Sequence, residues 1–359
     1  MVVRSPAGQA LLVGALTLLV LARVAAADAG GEGWLAKPPG RFREDLRLPG
    51  AAAGVSVFGS TVQGDGEAVW FATESGLFRL DARGAWTRFG KTEGLPSEVT
   101  RSVAIDPSGR AWCGTSRGPA YLEGGAFRRV MGADGQALDA DVWTQCHDGA
   151  RTWVGTDVGL FEVSGGRVAR QFTIKNSPLG ENWISGVAAD GKGNVWVGIW
   201  LGGVARFDGT KWTVWRDPDG KPDVDEKPDD GLLSDAVTSV AIDAAGGVFV
   251  GTSAGVSHFD GWHWKDSYLG PVQYVEPARE GRTLLVGTPD GLIILEGGLT
   301  RRYHLRAEDF PAGSVSGWGG GSGRTQGRLP SAEVFTAAAA PDRIFVGTRR
   351  GIAVLEPPP

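Results

Sequence analysis

The chain has 359 residues with 57 glycines, 14 tryptophans, 2 cysteines and a formal net charge of −5. An acidic balance without a basic stripe argues against a general nucleic-acid surface, and two cysteines are too few for a disulfide scaffold. The glycines lack a period of three, which excludes collagen, and 42% hydrophobic residues suffice for one large core-forming domain.

Residues 1–27 read as a secretory signal: Arg4 supplies the positive start, 10–22 the apolar run, and Ala25, Ala26 and Ala27 the small-residue cleavage site. The run is shorter than the roughly 20 residues of a spanning helix, so cleavage is expected. Its removal takes two arginines and no acid, leaving residues 28–359 with a formal charge of −7. No cysteine follows the run to carry a lipid, and no later segment could cross a membrane, so a periplasmic or secreted location is expected.

One phrase then returns seven times: VWFATESGL (69–77), AWCGTSRGP (111–119), TWVGTDVGL (152–160), VWVGIWLGGV (195–204), VFVGTSAGV (248–256), LLVGTPDGL (284–292) and IFVGTRRGI (344–352). Its second residue is Trp70, Trp112, Trp153, Trp196, Phe249, Leu285 and Phe345, at spacings of 42, 41, 43, 53, 36 and 60. A period near 40–50 with strand-like repeats is the signature of a β-propeller with one blade per repeat. The fold expected is all-β, a seven-bladed propeller of four-stranded antiparallel blades. In the fifth copy the strands read as 233–243, 246–252, 255–261 and 262–268 from inside outward, with Asp-x-x-Gly and Gly-Thr-x-x-Gly turns between them. The ring at the second position of each copy is read as packing between blades rather than as a ligand contact.

The last copy is followed by no outer strand, whereas GRFREDLRLPG (40–50) has the outer-strand-then-Leu-Pro order of the other blades. The segment 28–48 is therefore expected to complete the last blade, removing two open edges. Residues 28–359 then form a single propeller with two insertions, 216–230 and 306–328, both joining an outer strand to the next inner strand on one face.

Leu-(Pro/Leu)-Ser-x-x-Val…Asp-x-x-Gly-x-x-Trp-x-Gly-Thr-x-x-Gly-(Leu/Val), seen in 95–122 and 233–256, resembles the two-component regulator propeller repeat. The resemblance runs over essentially all of the chain after the signal. In that family such propellers form the periplasmic sensing part of bacterial hybrid histidine kinases, many of which respond to carbohydrates. Within these 359 residues there is one ring's worth of repeats and no kinase. What the resemblance implies here is an extracytoplasmic propeller that binds a ligand or partner.

The face carrying the insertions is the expected binding face. On it belong the early inner-strand residues Trp143, Trp183, Tyr274 and Phe335. The turn residues Asp157, Trp200, Asp290, Arg117, Arg349 and Arg350 belong there too. Trp200 stands out because its turn is one residue longer than its relatives. Aromatic rings beside charged groups at a concave mouth suit a glycan or other small molecule; the competing reading is that they plug the channel. Asp217, Asp219, Asp223, Asp225 and Glu226 in the acidic insertion loosely resemble a calcium loop without its full spacing. A solvated loop without cofactor is the reading taken, with calcium the alternative.

Four histidines, His147, His258, His263 and His304, fall on inner, third and outer strands and do not converge, so neither a His-based metal site nor a Ser-His-Asp triad is expected. Cys113 and Cys146 occupy positions that other blades fill with small or apolar residues, and are read as free thiols, with a disulfide between them the alternative in an exported protein. A non-catalytic sensing or ligand-binding propeller is the leading expectation. The alternatives are a protein-interaction scaffold of the bacterial envelope and a channel-centred lyase or hydrolase.

Overall fold

The structure, a computed structural model, describes residues 41–52, 54–217, 231–278, 283–296, 299–303, 314–315, 321–322 and 329–356. The chain forms seven four-stranded antiparallel sheets, six of them laid down in sequence order from the channel outward. The inner strands are Val57–Gln63, Thr100–Ile105, Val142–Asp148, Ile184–Ala189, Val237–Ile242, Tyr274–Ala278 and Val334–Ala339. The ring closes as expected: Arg41–Leu46 lies outside Gly351–Glu356, pairing Arg41 with Glu356 and Leu46 with Ile352, so the last blade has one strand from the start of the chain and three from its end. The insertion 306–328 holds a short hairpin of Ser314–Val315 and Gly321–Ser322. The signal segment 1–27 and most of both insertions lie outside the described residues.

The strands of the fifth blade are shorter than the sequence suggests, at Val237–Ile242, Val248–Thr252, Gly255–Phe259 and Trp264–Tyr268. Aspartates cut them. Asp243 Oδ1 accepts the N–H groups of Ala245 and Gly247, and Asp260 Oδ1 those of Trp262 and His263, so each carboxylate folds the chain into a turn before the strand reading ends. Leu233 belongs to the connector, where Leu95, Leu232, Leu233 and Leu329 are all buried, wedged beneath the ring's upper rim.

Seven separate apolar clusters hold the blades, one per interface. Trp70, Trp112, Trp153, Trp196, Leu285 and Phe345 are buried in them, which places the repeat's second residue in the core. Phe249 is half-buried and stacks on His258 at 4.3 Å. Opposite six of these residues the inner strand carries a small side chain, such as Ala104 against Trp112 and Ala188 against Trp196, whereas Leu285 faces Glu276. At Gly186 the neighbouring inner strand comes so close that a Cβ would stand 2.6 Å from the Val240 nitrogen.

Cys113 is packed in the core between blades one and two and Cys146 against that between blades three and four, and both are free. Burial pushes both thiols up, with Asp148 adding to the effect at Cys146, which reaches about 12. They are unreactive at any physiological pH.

Candidate functional site

The second-to-third-strand turns face the same end of the molecule as the starts of the inner strands. In six blades this turn begins with a threonine whose hydroxyl donates to the carbonyl of the glycine three residues on: Thr73, Thr115, Thr156, Thr252, Thr288 and Thr348, at 2.7–3.0 Å. The fourth blade abandons this clasp. Ile199 replaces the threonine, the turn gains a residue, and Leu201 adopts φ +60°, the one non-glycine residue at positive φ among those described. A bulky side chain there costs on the order of 1 kcal/mol, and strain of this kind concentrates at functional sites. Leu201 is 62% exposed, so little burial is lost with its side chain. Leu201→Gly is expected to stabilise the fold by about 0.5–1 kcal/mol, measured by urea unfolding, because glycine fits this conformation.

What the turn delivers is Trp200. Its ring lies 5.8 Å from Trp183, which lies 5.2 Å from Trp143. The arc continues through Arg101, whose guanidinium sits 4.2 Å over Trp143 and 5.9 Å from Phe58, and then to Phe335, 5.8 Å from Phe58. Asp141 fixes Arg101 by a bidentate pair at 2.6 and 2.9 Å. These residues line an axial cavity of about 970 Å³.

Register explains the aim of these side chains. The inner-strand ladder slips by one residue in six blades, between Val57 and Gly59, Thr100 and Ser102, Val142 and Thr144, Ile184 and Gly186, Val237 and Ser239, and Val334 and Thr336. The skipped residues are Phe58, Arg101, Trp143, Ser185, Thr238 and Phe335. A bulge leaves its extra residue unpaired and re-aims the side chain, here toward the channel. From blade seven round to blade three this ring is aromatic and basic, with Phe335, Phe58, Arg101 and Trp143; Ser185, Thr238 and, at the corresponding place in blade six, Gln273 make the rest polar.

Among the described residues, blade six adds the only carboxylate of the lining. Tyr274 donates its hydroxyl to Glu276 Oε2 at 2.9 Å. Burial raises the Glu276 carboxyl to about 7, although the Tyr274 hydrogen bond opposes the rise, and burial beside Glu276 pushes the Tyr274 phenol well up. His147 also lines the channel, its Nδ1 3.1 Å from the Thr152 hydroxyl; burial, with Arg110 assisting and Asp106 opposing, holds it down to about 4, so it is neutral.

Of the expected site residues, Trp143, Trp183, Trp200, Tyr274 and Phe335 line this cavity. The turn residues Arg117, Asp157, Asp290, Arg349 and Arg350 do not. Arg117 pairs with Asp139 at 2.6 Å and Arg349 with Glu333 at 3.0 Å, while Asp157 accepts the Asp141 N–H. Arg350 borders a small pocket beside Leu46 and Leu48, and Asp290 donates its N–H to Thr288. Of the acidic loop only Asp217 is described; it is buried, its N–H bound to Asp235. Asp219, Asp223, Asp225 and Glu226 lie outside the described residues, as does His304. Among the described residues no three His, Cys, Asp or Glu side chains converge. Phe58, Arg101 and Glu276 are the site residues that sequence reading misses.

The apolar surface gathers beside this mouth. Among the described residues the exposed large hydrophobic side chains are Val158, Ile174, Trp183 and Leu201, all at the mouth end of blades three and four, and Trp262 in a third-to-outer-strand turn of blade five.

No protein-family model and no curated protein matches the sequence. Solved structures do resemble it. The extracellular domain of the hybrid two component system BT3049 from B. thetaiotaomicron superposes with a TM-score of 0.65 at 17% identity, over 90% of this chain and 42% of that one. That of BT4673 from the same organism gives 0.64 at 15%, over 89% and 43%. Virginiamycin B lyase from Staphylococcus aureus gives 0.60 at 11%, over 89% of this chain and all of its own. The chain spans less than half the length of the first two. At these identities the likeness is one of fold alone. No helix of the described residues is long and apolar enough to cross a membrane.

Proposed function

We propose that this chain is an extracytoplasmic, non-catalytic propeller that senses or holds a small molecule in its axial channel, with glycans the first class to test. The observation that carries this reading is the cluster of tilted rings Trp143, Trp183 and Trp200, the last presented by a turn that gives up its threonine clasp and accepts backbone strain to do so. Local rules broken in one repeat of seven, at a concave aromatic mouth, mark a place where function outweighs regularity. The fold shared with extracellular domains of hybrid two component systems supports a sensing role outside the cytoplasm.

The test is intrinsic tryptophan fluorescence and thermal shift of the protein against a glycan panel, with and without calcium. Wild type is expected to respond saturably, and Trp200→Ala to lose affinity by about tenfold or more while melting normally, since removing one stacking ring costs of the order of 1–2 kcal/mol. An unaltered affinity in Trp200→Ala defeats the assignment.

A second reading, a docking face for an envelope protein, is favoured by the apolar lip of Val158, Ile174, Trp183 and Leu201. It predicts a partner that co-purifies with wild type and is lost when Leu201 and Ile174 are both changed to Ser. The lyase reading draws on the fold of virginiamycin B lyase alone.

A further inference from the structure

We propose that the axial channel receives an organic ammonium ion, with its cationic head at the Glu276 carboxylate and its apolar body against the aromatic arc of the mouth. The inference rests on the ligand-binding reading above and names the chemistry of the ligand.

The fold itself does not require a carboxylate at this position. Glu276 stands opposite Leu285, the second residue of its repeat. The matching positions in the other blades are Thr61, Ala104, Cys146, Ala188, Ala241 and Ala338, all small and uncharged. Blade six has exchanged both members of the pair: leucine for the usual large ring, glutamate for the usual small residue.

Among the described residues no cation balances it. The strands packed against Tyr274–Ala278 are Val237–Ile242, Val248–Thr252, Thr283–Thr288 and Val334–Ala339, and none carries a titratable side chain. Facing Glu276 on its own strand is the Tyr274 hydroxyl. Elsewhere in the lining, among the described residues, the titratable groups are His147, which is neutral, the half-buried thiol of Cys146, and Arg101, which is committed to Asp141 by both arms of its guanidinium. A carboxylate with two oxygens and one donor has room for further hydrogen bonds. The lining also holds acceptors: on blade three Gln145, only 8% exposed, gives its amide N–H to the Trp112 carbonyl while its Oε1 has no partner, and on blade six Gln273 Oε1 is likewise unpartnered. Buried acceptors without donors suit an N–H-rich head group.

The rest of the lining selects among cations. A hard metal ion takes six or more oxygens, and one carboxylate does not provide them. An organic ammonium needs one anion, a few acceptors and aromatic faces, which attract a cation through their quadrupoles. Glu276 lies three residues past the mouth-level Gln273, about 10 Å down the strand at the usual rise, a depth an alkyl-linked head group would span.

The experiment is calorimetric titration of the full chain at pH 8 with two matched pairs of probes: phenethylammonium against 2-phenylethanol, and choline against 3,3-dimethylbutan-1-ol. At least one ammonium ion is expected to bind saturably, about tenfold or more tighter than its neutral isostere. Glu276→Gln should erase that preference while keeping the wild-type circular dichroism spectrum. Repeated at pH 6.5 in buffers of different ionisation enthalpy, binding should release a proton in wild type and none in the variant, a signature a merely structural role would not give. Equal binding of ion and isostere, or a preference that survives Glu276→Gln, overturns the proposal. Neutral glycans that bind through Trp200 while the ammonium probes do not would overturn it and leave the broader ligand-binding reading standing. Silence toward both classes removes both.

Discussion

Deletion of residues 28–48 converts the protein into an aggregating species with a melting temperature lowered beyond measurement of a cooperative transition. The segment includes Arg41–Leu46, which supplies the outermost strand of the seventh blade. Without it, Gly351–Glu356 becomes an unpaired edge, and Ile352, Val354 and Leu355, now buried, lose part of their cover. Leu46 and Leu48 also leave the cluster that joins blade seven to blade one, where Phe345 and Ile352 meet Phe71 and Phe78. At about 1.5–3 kcal/mol for each large apolar side chain returned to water, the loss is on the order of 5 kcal/mol, a large share of a domain's whole stability. An exposed edge beside apolar surface then favours association. Light scattering coupled to size exclusion, with a thermal melt, decides the matter: a monomer that melts as wild type would show that the ring does not depend on this strand.

That closure could be read from the sequence because its signals are local. Glycine at fixed offsets, an aspartate three residues before a glycine and the Leu-Pro connector each report a turn that any blade needs, so seven copies and one displaced strand are visible without coordinates. Trp200 was legible for the same reason: its turn is one residue too long. The channel lining was less so. Phe58 and Arg101 face the axis because the ladder slips one residue beside each of them, and no periodicity announces a bulge. The turn residues Arg117 and Arg349 share the right face, yet both turn into ion pairs with Asp139 and Glu333. Glu276 did leave a trace. Lining up the residue opposite each repeat's large side chain gives Thr61, Ala104, Cys146, Ala188, Ala241, Glu276 and Ala338, and the charge stands alone in that row. Its meaning, however, depends on what surrounds it, which only the packing of the neighbouring strands supplies.

The stability gap between Glu276→Gln and wild type widens in favour of the variant as pH rises. A carboxyl held at about 7 in the folded protein, against 4.5 for an ordinary glutamate, binds its proton more tightly folded than unfolded. Wild-type folding is thus best supported by this group below pH 4.5, loses that support as pH climbs from 4.5 through 7, and keeps the full penalty above. Holding this carboxyl at about 7 rather than 4.5 corresponds to about 3 kcal/mol at its limit, and water that solvates the carboxylate reduces this toward about 1 kcal/mol. Glutamine retains the shape and can accept the Tyr274 hydroxyl, so at pH 5 the two proteins are expected to unfold at nearly the same urea concentration. At pH 8 the variant should be more stable by about 1–3 kcal/mol. Other titrating groups, His147 among them, are common to both proteins and cancel in the difference. A gap that stays constant between pH 5 and pH 8 would mean that Glu276 ionises as freely in the channel as in water. An ammonium ligand would then find an ordinary, already charged carboxylate and release no proton on binding. The same two proteins therefore test the electrostatics of the channel without any ligand.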